Sequence, residues 1–248
     1  MTGRSPLSQE THAPVAGARP RGPGPLVVEL VGPAGAGKTA LLRALGREPR
    51  VRAGVRIERA RLLPVFLLHS IRMIPLAFEL LARGWKNARN GLLHCMRLRT
   101  LPLTIARLAA QGDCDAVLLD EGPIYSLGRL SVFQEAPHGG ELMARTWRIE
   151  LDRWATLLDA VIWIDAPDAV LAERIRARPK HHQIKGGTDM EMAGFLGRYR
   201  QAYREIQERL TASGRVKMVH LDTAGLPVEA AAERVMTELE RLGLRRSD

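Results

Sequence analysis

The fold is decided by one stretch of the chain, Gly32-Pro33-Ala34-Gly35-Ala36-Gly37-Lys38-Thr39. It fits the pattern Gly-x-x-x-x-Gly-Lys-[Ser/Thr], the glycine-rich phosphate-binding loop called the P-loop. Residues 26–31 form a short apolar, β-branched run that predicts a buried strand, and residues 40–45 predict a helix. A glycine turn between a strand and a helix N-terminus directs backbone N–H groups and the positive end of the helix dipole at one point. The sequence therefore predicts nucleotide binding.

Two side chains of the loop have expected roles. Lys38 is expected to reach the β- and γ-phosphates, and the Thr39 hydroxyl is expected to bind Mg²⁺. The glycines let the backbone approach an anion closely. The alternative is a glycine turn that precedes a helix by chance, but motif, strand and helix agree. The predicted nucleotide contacts are Gly32, Ala34, Gly35, Ala36, Gly37, Lys38, Thr39 and Ala40.

Length and composition narrow the class of protein. With 248 residues, the chain can form one large α/β domain or two small ones. Its 46% hydrophobic and 26% charged residues are typical of soluble globular proteins. Cys95 and Cys114 are too few for a disulfide scaffold, and a P-loop enzyme implies the reducing cytoplasm.

The charge is strongly positive, with a formal net value of +10. Only five of the 37 basic residues are lysine, so arginine supplies the excess. Arginine suits bidentate phosphate contacts, and an anionic or phosphorylated substrate would use part of it. Nucleic-acid binding is the competing explanation. Aromatic residues make up only 4% and no dense basic run occurs, so we expect no nucleic-acid partner.

Residues 1–25 are rich in Pro, Gly, Ala and Ser and contain no apolar segment typical of a secretory signal. They predict a disordered tail, followed by a single domain over residues 26–248. The second strand is expected at Val55-Arg56-Ile57-Glu58, where polar and apolar residues alternate.

Residues 61–111 form a helical insert. Residues 64–82 are nearly all apolar and long enough to cross a membrane. Arg72 in the middle and the helix breaker Pro75 oppose a transmembrane span, and none is expected. We expect two helices that pack on the core or cover the site, with a helix on a membrane surface as the alternative. A further helix is expected over residues 91–110, broken at Pro102.

Further strands are predicted at residues 115–119, 160–165 and 216–221. Five strands that alternate with helices indicate a parallel sheet with helices on both faces. The predicted fold is therefore α/β, the three-layer α/β/α fold of P-loop NTPases. In such sheets, ligands bind at the carboxyl ends of the strands.

Asp120 and Glu121 directly follow the predicted strand at 115–119. An acid after an apolar strand helps to hold Mg²⁺ in P-loop proteins. Consecutive strand residues point to opposite faces, so the two acids need not share a role. We assign Mg²⁺ to Asp120 together with Thr39, and we expect Glu121 to face the acceptor and take or orient a hydroxyl proton. The two roles could be reversed, or the acids could be surface residues.

The segment from Asp165 to Arg178, with Asp168 and Arg174 inside it, resembles P-loop small-molecule kinases of the thymidylate kinase and nucleoside-monophosphate kinase type. Their fourth strand runs into a similar helix and then into an arginine-bearing lid. The later Phe195-Leu196-x-x-Tyr199-x-x-x-Tyr203 is similar to the helix after that lid. The resemblance covers roughly residues 26–60 and 112–242.

The resemblance implies that Arg174 stacks on adenine or clamps phosphate, that Arg178 stabilises the transition state, and that residues 178–190 form a lid. A closing arginine would stabilise the charge that phosphoryl transfer spreads over three oxygens. The alternative is that both arginines are solvated helix residues. Thymidylate kinases follow the third strand with Asp-Arg, whereas this chain has no arginine there until Arg129. A thymidylate acceptor is therefore not implied.

The predicted function is ATP-dependent phosphoryl transfer, by a kinase with ATP and Mg²⁺, to a small-molecule acceptor such as a nucleotide or other metabolite. The alternative is a P-loop ATPase or nucleotide-dependent switch that acts on a protein partner, and the Asp120-Glu121 pair slightly favours it. The sequence leaves open whether the protein forms a homodimer. His181 and His182 are expected to be solvated rather than metal ligands, because no further ligands have suitable spacing.

Overall fold

The computed structural model describes residues 24–55, 71, 73–82, 84–133, 140–179 and 184–244. Almost all of the predicted N-terminal tail lies outside these residues. So do residues 56–58 of the predicted second strand, residues 64–70 of the apolar segment, and His181 and His182 of the predicted lid.

A five-stranded parallel sheet forms the centre of the molecule. Its strand order is β2-β3-β1-β4-β5. Strands β1, β3 and β4 are buried along nearly their whole length, as expected for a parallel sheet covered on both faces. The predicted α/β fold is confirmed. The strands are β1 (Leu26–Val31), β2 (Val51–Val55), β3 (Ala116–Leu119), β4 (Ala160–Asp165) and β5 (Lys217–Asp222).

The helices of the described residues pack in two groups. One consists of α1 and α8, and the other of α3, α4, α5 and α7, with α2 against α3 and α5 and α6 against α7. None of the helices in the described part of the chain has the length and apolarity needed to cross a bilayer. The helices are α1 (Lys38–Leu45), α2 (Ile74–Leu81), α3 (Trp85–Gln111), α4 (Pro123–Phe133), α5 (Glu141–Leu157), α6 (Asp168–Ala177), α7 (Asp189–Ala212) and α8 (Val228–Arg241).

The strand order places a crevice between the carboxyl ends of β1 and β3. The chain leaves β1 toward β2 on one side, and it leaves β3 toward β4 on the other. Open α/β sheets bind ligands where such connections diverge. Glu29 of β1 pairs with Leu119 of β3, so the loop from Gly32 and the acid Asp120 emerge beside each other.

The second strand begins at Val51, four residues before its predicted start at Val55, and residues 56–58 of the predicted segment lie outside the described residues. β2 covers Val51–Val55 and pairs with β3 from Val51 opposite Ala116 to Val55 opposite Leu119. Gly54 has a positive φ of 73°, and the register shifts between Ala53 and Val55. This bulge interrupts the alternation of side chains, so residues 51–55 lack the alternating pattern that predicts a strand.

Helix α3 begins at Trp85 and runs through Pro102, so both the predicted start near residue 91 and the predicted break were wrong. Proline removes the N–H that would bind the carbonyl of Leu98. The indole Nε1 of Trp154 donates to this carbonyl at 3.2 Å instead. Because a side chain of α5 supplies the missing donor, the helix continues past its proline.

Helix α2 occupies the second half of the apolar segment. Pro75 lies in its first turn, where the missing N–H has no partner to lose, and so it does not interrupt the helix. Leu76 and Leu80 are buried, while Ile74 and Phe78 are exposed. The expectation of a helix that packs on the core is met for residues 74–81.

Candidate nucleotide and acceptor site

The P-loop lies in close contact with its neighbours on both sides. A Cβ on Gly32 would lie 1.9 Å from the carbonyl oxygen of Ile164 in β4. A Cβ on Gly35, which has a positive φ of 87°, would lie 2.8 Å from the carbonyl oxygen of Leu171 in α6. Both glycines are therefore required by packing, in addition to any close approach of an anion.

The N-terminus of α1 is open to a ligand. Its N-cap is Gly37, and among the described residues no side chain caps it and no acid lies in its first turn. The first N–H groups of a helix need acceptors, and they attract anions. Gly37, Thr39 and Ala40 of the predicted contacts are exposed here, whereas Ala36 is buried.

Lys38 folds back on the loop. Its Nζ donates to the carbonyl oxygens of Gly32 and Pro33, the latter at 2.9 Å. Burial of the ammonium lowers the pKa of Lys38 to about 8. Among the smaller causes, Arg178 lowers this pKa further, and Asp120 opposes the change most strongly. A phosphate that replaced the two carbonyl oxygens would restore a strong partner for the charge.

The predicted charged residues lie near one another. Asp120, Arg178, Glu121 and Asp165 all contribute Coulombic effects at Lys38. Arg178 follows the C-terminus of α6, and Asp120 and Glu121 follow β3. Four of the five residues predicted to be catalytic are thus gathered beside the P-loop, at the carboxyl edge of the sheet.

The fifth, Arg174, contacts the P-loop from the β5 side. Its guanidinium donates to the carbonyl of Gly35 at 3.4 Å, to the Thr223 hydroxyl at 3.1 Å and to the Thr223 carbonyl at 2.9 Å. The hydroxyl of Thr223 also lies 3.2 Å from the carbonyl oxygen of Ala36. Arg174 therefore joins the loop to the turn after β5, a connection that the sequence did not indicate.

Asp120 and Thr39 fit a Mg²⁺ site by their chemistry. Asp120 directly follows β3 and is 8% exposed, and its charge acts on Lys38 of the P-loop. Thr39 lies exposed in the first turn of α1. A carboxylate and a hydroxyl are the hard oxygen ligands that Mg²⁺ prefers. Among the described residues, here as elsewhere, no group of three or more His, Cys, Asp or Glu side chains could hold a metal.

Glu121 is held by a residue of the helical insert. Its backbone has a positive φ of 55°, which is uncommon for a non-glycine residue. Its Oε2 pairs with Nη2 of Arg97 at 3.1 Å. The same guanidinium lies 5.9 Å from the centre of the Tyr125 ring. Arg97 of α3 was not predicted, and its partner is 24 residues further along the chain.

A wall of polar and aromatic side chains adjoins Glu121. We call it the acceptor wall and define it as His94 and Arg97 of α3, Tyr125 and Arg129 of α4, and Tyr199 of α7. The His94 and Tyr125 rings meet edge to face at 5.9 Å, and Arg129 bonds the Tyr199 hydroxyl. Burial, with smaller effects of Arg97 and Arg129, lowers the pKa of His94 to about 3, so its imidazole is neutral.

Arg200 fastens α7 to the end of β4. It donates to both carboxylate oxygens of Asp165, at 2.9 and 3.0 Å, and pairs with Asp168. These hydrogen bonds raise the pKa of Arg200, chiefly through Asp165. The two acids noted in the sequence are thus partners of one arginine, and α7 is held close to the P-loop.

The predicted lid overlaps the start of α7. Thr188 caps this helix in a reciprocal capping box with Glu191, so residues 189–190 are helical. Arg178 is exposed, and its carbonyl accepts from Lys185. Residues 180–183 lie outside the described part of the chain.

No family model and no curated protein matches this sequence. The structure of deoxyadenosine kinase from M. mycoides with bound dCTP matches at 14% identity and a TM-score of 0.48, covering 87% of this chain and 100% of that chain. The YorR protein from Bacillus subtilis in complex with phosphorylated GDP matches at 17% identity and a TM-score of 0.46, covering 88% and 99%.

Proposed function

We propose that this protein transfers the γ-phosphoryl group of ATP to a small-molecule acceptor. The observation that supports the proposal is the gathering of Lys38, Arg178, Asp120 and Glu121 at one end of the sheet, beside an open helix N-terminus. Two cations and two acids in this arrangement match what phosphoryl transfer needs, which is positioning together with charge stabilisation.

The cationic side of the site would hold the phosphates. The N–H groups at the start of α1 and the ammonium of Lys38 are expected to bind the β- and γ-phosphates. Arg178 adds a second positive charge where the transferred group develops negative charge. Arg174 keeps its bonds to Gly35 and Thr223 and so holds the loop in shape at the β5 side.

Thr39 and Asp120 would hold Mg²⁺, directly or through water. The ion would neutralise charge on the β- and γ-phosphate oxygens. Asp120 directly follows Leu119, the last residue of β3, and the N–H of Asp120 donates to the carbonyl of Val55 in β2 at 3.3 Å. Its position is therefore set by the sheet rather than by a free loop.

Glu121 would act on the acceptor. A carboxylate within hydrogen-bond reach of a hydroxyl can take its proton or orient it for attack on the γ-phosphorus. The ion pair with Arg97 holds this carboxylate toward the acceptor wall. The proton passes from the acceptor oxygen to Glu121 as the new oxygen–phosphorus bond forms and ADP leaves.

The acceptor wall indicates the kind of molecule that would bind. Tyr125 is partly exposed and offers a flat face and a hydroxyl, while Arg97 and Arg129 offer positive charge. His94 and Tyr199 are buried and contact Tyr125 and Arg129, respectively. A polar acceptor with a ring and an anionic group, such as a nucleotide or a similar metabolite, matches these side chains.

The test is ADP release from MgATP over a panel of nucleosides, nucleotides, sugars and other alcohols, with mass spectrometry of each product. We expect ADP release that depends on an acceptor and a product heavier by one phosphoryl group. Lys38→Ala serves as the inactive control, because it removes the positive charge that faces the phosphates and little of the core packing. Steady hydrolysis that no acceptor changes and a protein partner stimulates would favour a P-loop ATPase instead.

A further inference from the structure

A buried acid lies in the strand that leads into the P-loop. Glu29 of β1 is 0% exposed, although every other residue of that strand is apolar. Burial raises the pKa of Glu29 to about 8, against the effect of the backbone N–H groups that bind it. Acids are almost never fully buried without partners, so the partners of Glu29 show what it does.

The carboxyl group of Glu29 caps the N-terminus of helix α4, which lies far along the chain. Its Oε2 accepts from the N–H of Ile124 at 2.7 Å, and its Oε1 accepts from the N–H of Tyr125 at 2.9 Å. Pro123 begins α4 and has no N–H, and the N–H of Ser126 donates to the carbonyl of Gly122 at 3.0 Å. Glu29 therefore satisfies the free donors of the first turn of α4.

The same carboxyl group lies against the turn that carries the two candidate acids. A Cβ on Gly122 would lie 2.7 Å from Cδ and 2.9 Å from Oε2 of Glu29. Gly122 follows Glu121, whose positive φ the surrounding structure must maintain. The side chain of Glu29 in β1 therefore contacts both the turn from Asp120 to Gly122 and the start of α4.

We propose that Glu29 is a positioning residue that sets the P-loop and the acidic turn relative to each other. It lies three residues before Gly32 on the strand that enters the loop. At its other end it holds the turn with Asp120 and Glu121 and the helix that presents Tyr125 to the acceptor. The catalytic consequence of this contact rests on the proposed function, whereas the contact itself does not.

Glu29→Gln tests the contact with little change of volume. The amide keeps one acceptor oxygen but turns an NH₂ group toward a second backbone N–H, so one of the two hydrogen bonds is lost. Gly122→Ala disturbs the same contact from the other side, because its Cβ would press on the carboxyl group of Glu29. Asp159→Asn is the matched control: Oδ2 of Asp159 accepts from the N–H of Val27 at 2.8 Å, at the opposite end of β1.

Three quantities are measured on each purified variant: the Kd for MgATP, the single-turnover rate of transfer, and the amide exchange rates of Ile124 and Tyr125. For Glu29→Gln and Gly122→Ala we expect a transfer rate about 10- to 100-fold lower, the size of effect that small misplacements of reacting groups produce. The Kd for MgATP rises much less than the transfer rate falls. Exchange becomes faster at the amide that loses its hydrogen bond in Glu29→Gln, and at both amides in Gly122→Ala. Asp159→Asn keeps the wild-type transfer rate and amide exchange.

The proposal is overturned if both variants transfer at the wild-type rate, or if MgATP affinity falls as much as transfer does. The second outcome would mean that Glu29 supports only the nucleotide site. If Glu29→Gln does not fold, Gly122→Ala decides the question by the same readouts. If the wild-type protein phosphorylates no acceptor, the proposed function fails. Faster amide exchange at Ile124 and Tyr125 in the variants would then still support the positioning contact of Glu29, and unchanged exchange would refute that contact.

Discussion

Affinity for MgATP should fall as pH rises from 7 to 9, because Lys38 loses its proton in that range. Burial lowers the pKa of Lys38 to about 8. An exposed lysine, with a pKa near 10.4, would keep its charge throughout. The group is a base with a lowered pKa, so the free protein carries the ammonium below pH 8 and the neutral amine above it. Phosphate binds the ammonium, and binding above pH 8 therefore takes up a proton.

The size of the change in the apparent Kd follows from the fraction of free protein in which Lys38 is protonated. With a pKa of about 8, Lys38 is protonated in about nine-tenths of the free molecules at pH 7 and in about one-tenth at pH 9. If only the ammonium form binds tightly, the apparent Kd for MgATP rises about tenfold, or about 1.4 kcal/mol. Isothermal titration calorimetry in buffers of different ionisation enthalpy measures both the Kd and the proton uptake.

Lys38→Arg is the control for this prediction. Arginine keeps its charge at both pH values, so any change in its Kd between pH 7 and pH 9 belongs to the nucleotide or to other groups. The wild-type ratio of Kd values, divided by the Lys38→Arg ratio, should remain near ten. A corrected ratio near one, without proton uptake, would show that Lys38 does not titrate against the phosphates.

Two further predictions concern paired substitutions. Arg178→Ala should lower the transfer rate about 100-fold or more, as loss of a transition-state donor does. Arg176→Ala is the control, because it breaks only an exposed pair with Asp189 and should leave the transfer rate unchanged. Equal losses in single-turnover assays would refute a specific role for Arg178. Trp154→Phe should destabilise the fold by about 1–3 kcal/mol beyond the lost packing, because the carbonyl freed by Pro102 loses its indole donor. Urea unfolding should show a smaller cost of Trp154→Phe in a Pro102→Ala background, and additive costs would contradict this explanation.

The parts of the fold that follow from neighbouring residues could be predicted from the sequence. The P-loop was expected between a strand and a helix, and it lies between β1 and α1. Asp120 was expected at the end of β3, and the sheet places it beside that loop. These features depend on local motif and periodicity, so a single sequence contains the information for them.

The features that were missed depend on partners far apart in the chain. The continuity of α3 past Pro102 depends on Trp154, and the orientation of Glu121 depends on Arg97. Neither partner carries a motif. Glu29 did carry a signal, since an acid in the middle of a buried apolar strand requires a partner, although only the fold shows that the partner is the start of α4.

The central claim is that Glu121 acts on an acceptor while Asp120 serves Mg²⁺, and one experiment tests it most directly. Single-turnover reactions with γ-labelled ATP would follow the label in wild type, Asp120→Asn and Glu121→Gln, with Mg²⁺ and an active acceptor. We expect wild type to place the label on the acceptor. Glu121→Gln should bind MgATP normally and transfer about 100-fold or more slowly, whereas Asp120→Asn should lose Mg²⁺ dependence and turnover together. Label released as inorganic phosphate whether or not acceptor is present, with Glu121→Gln abolishing that release, would contradict the kinase proposal.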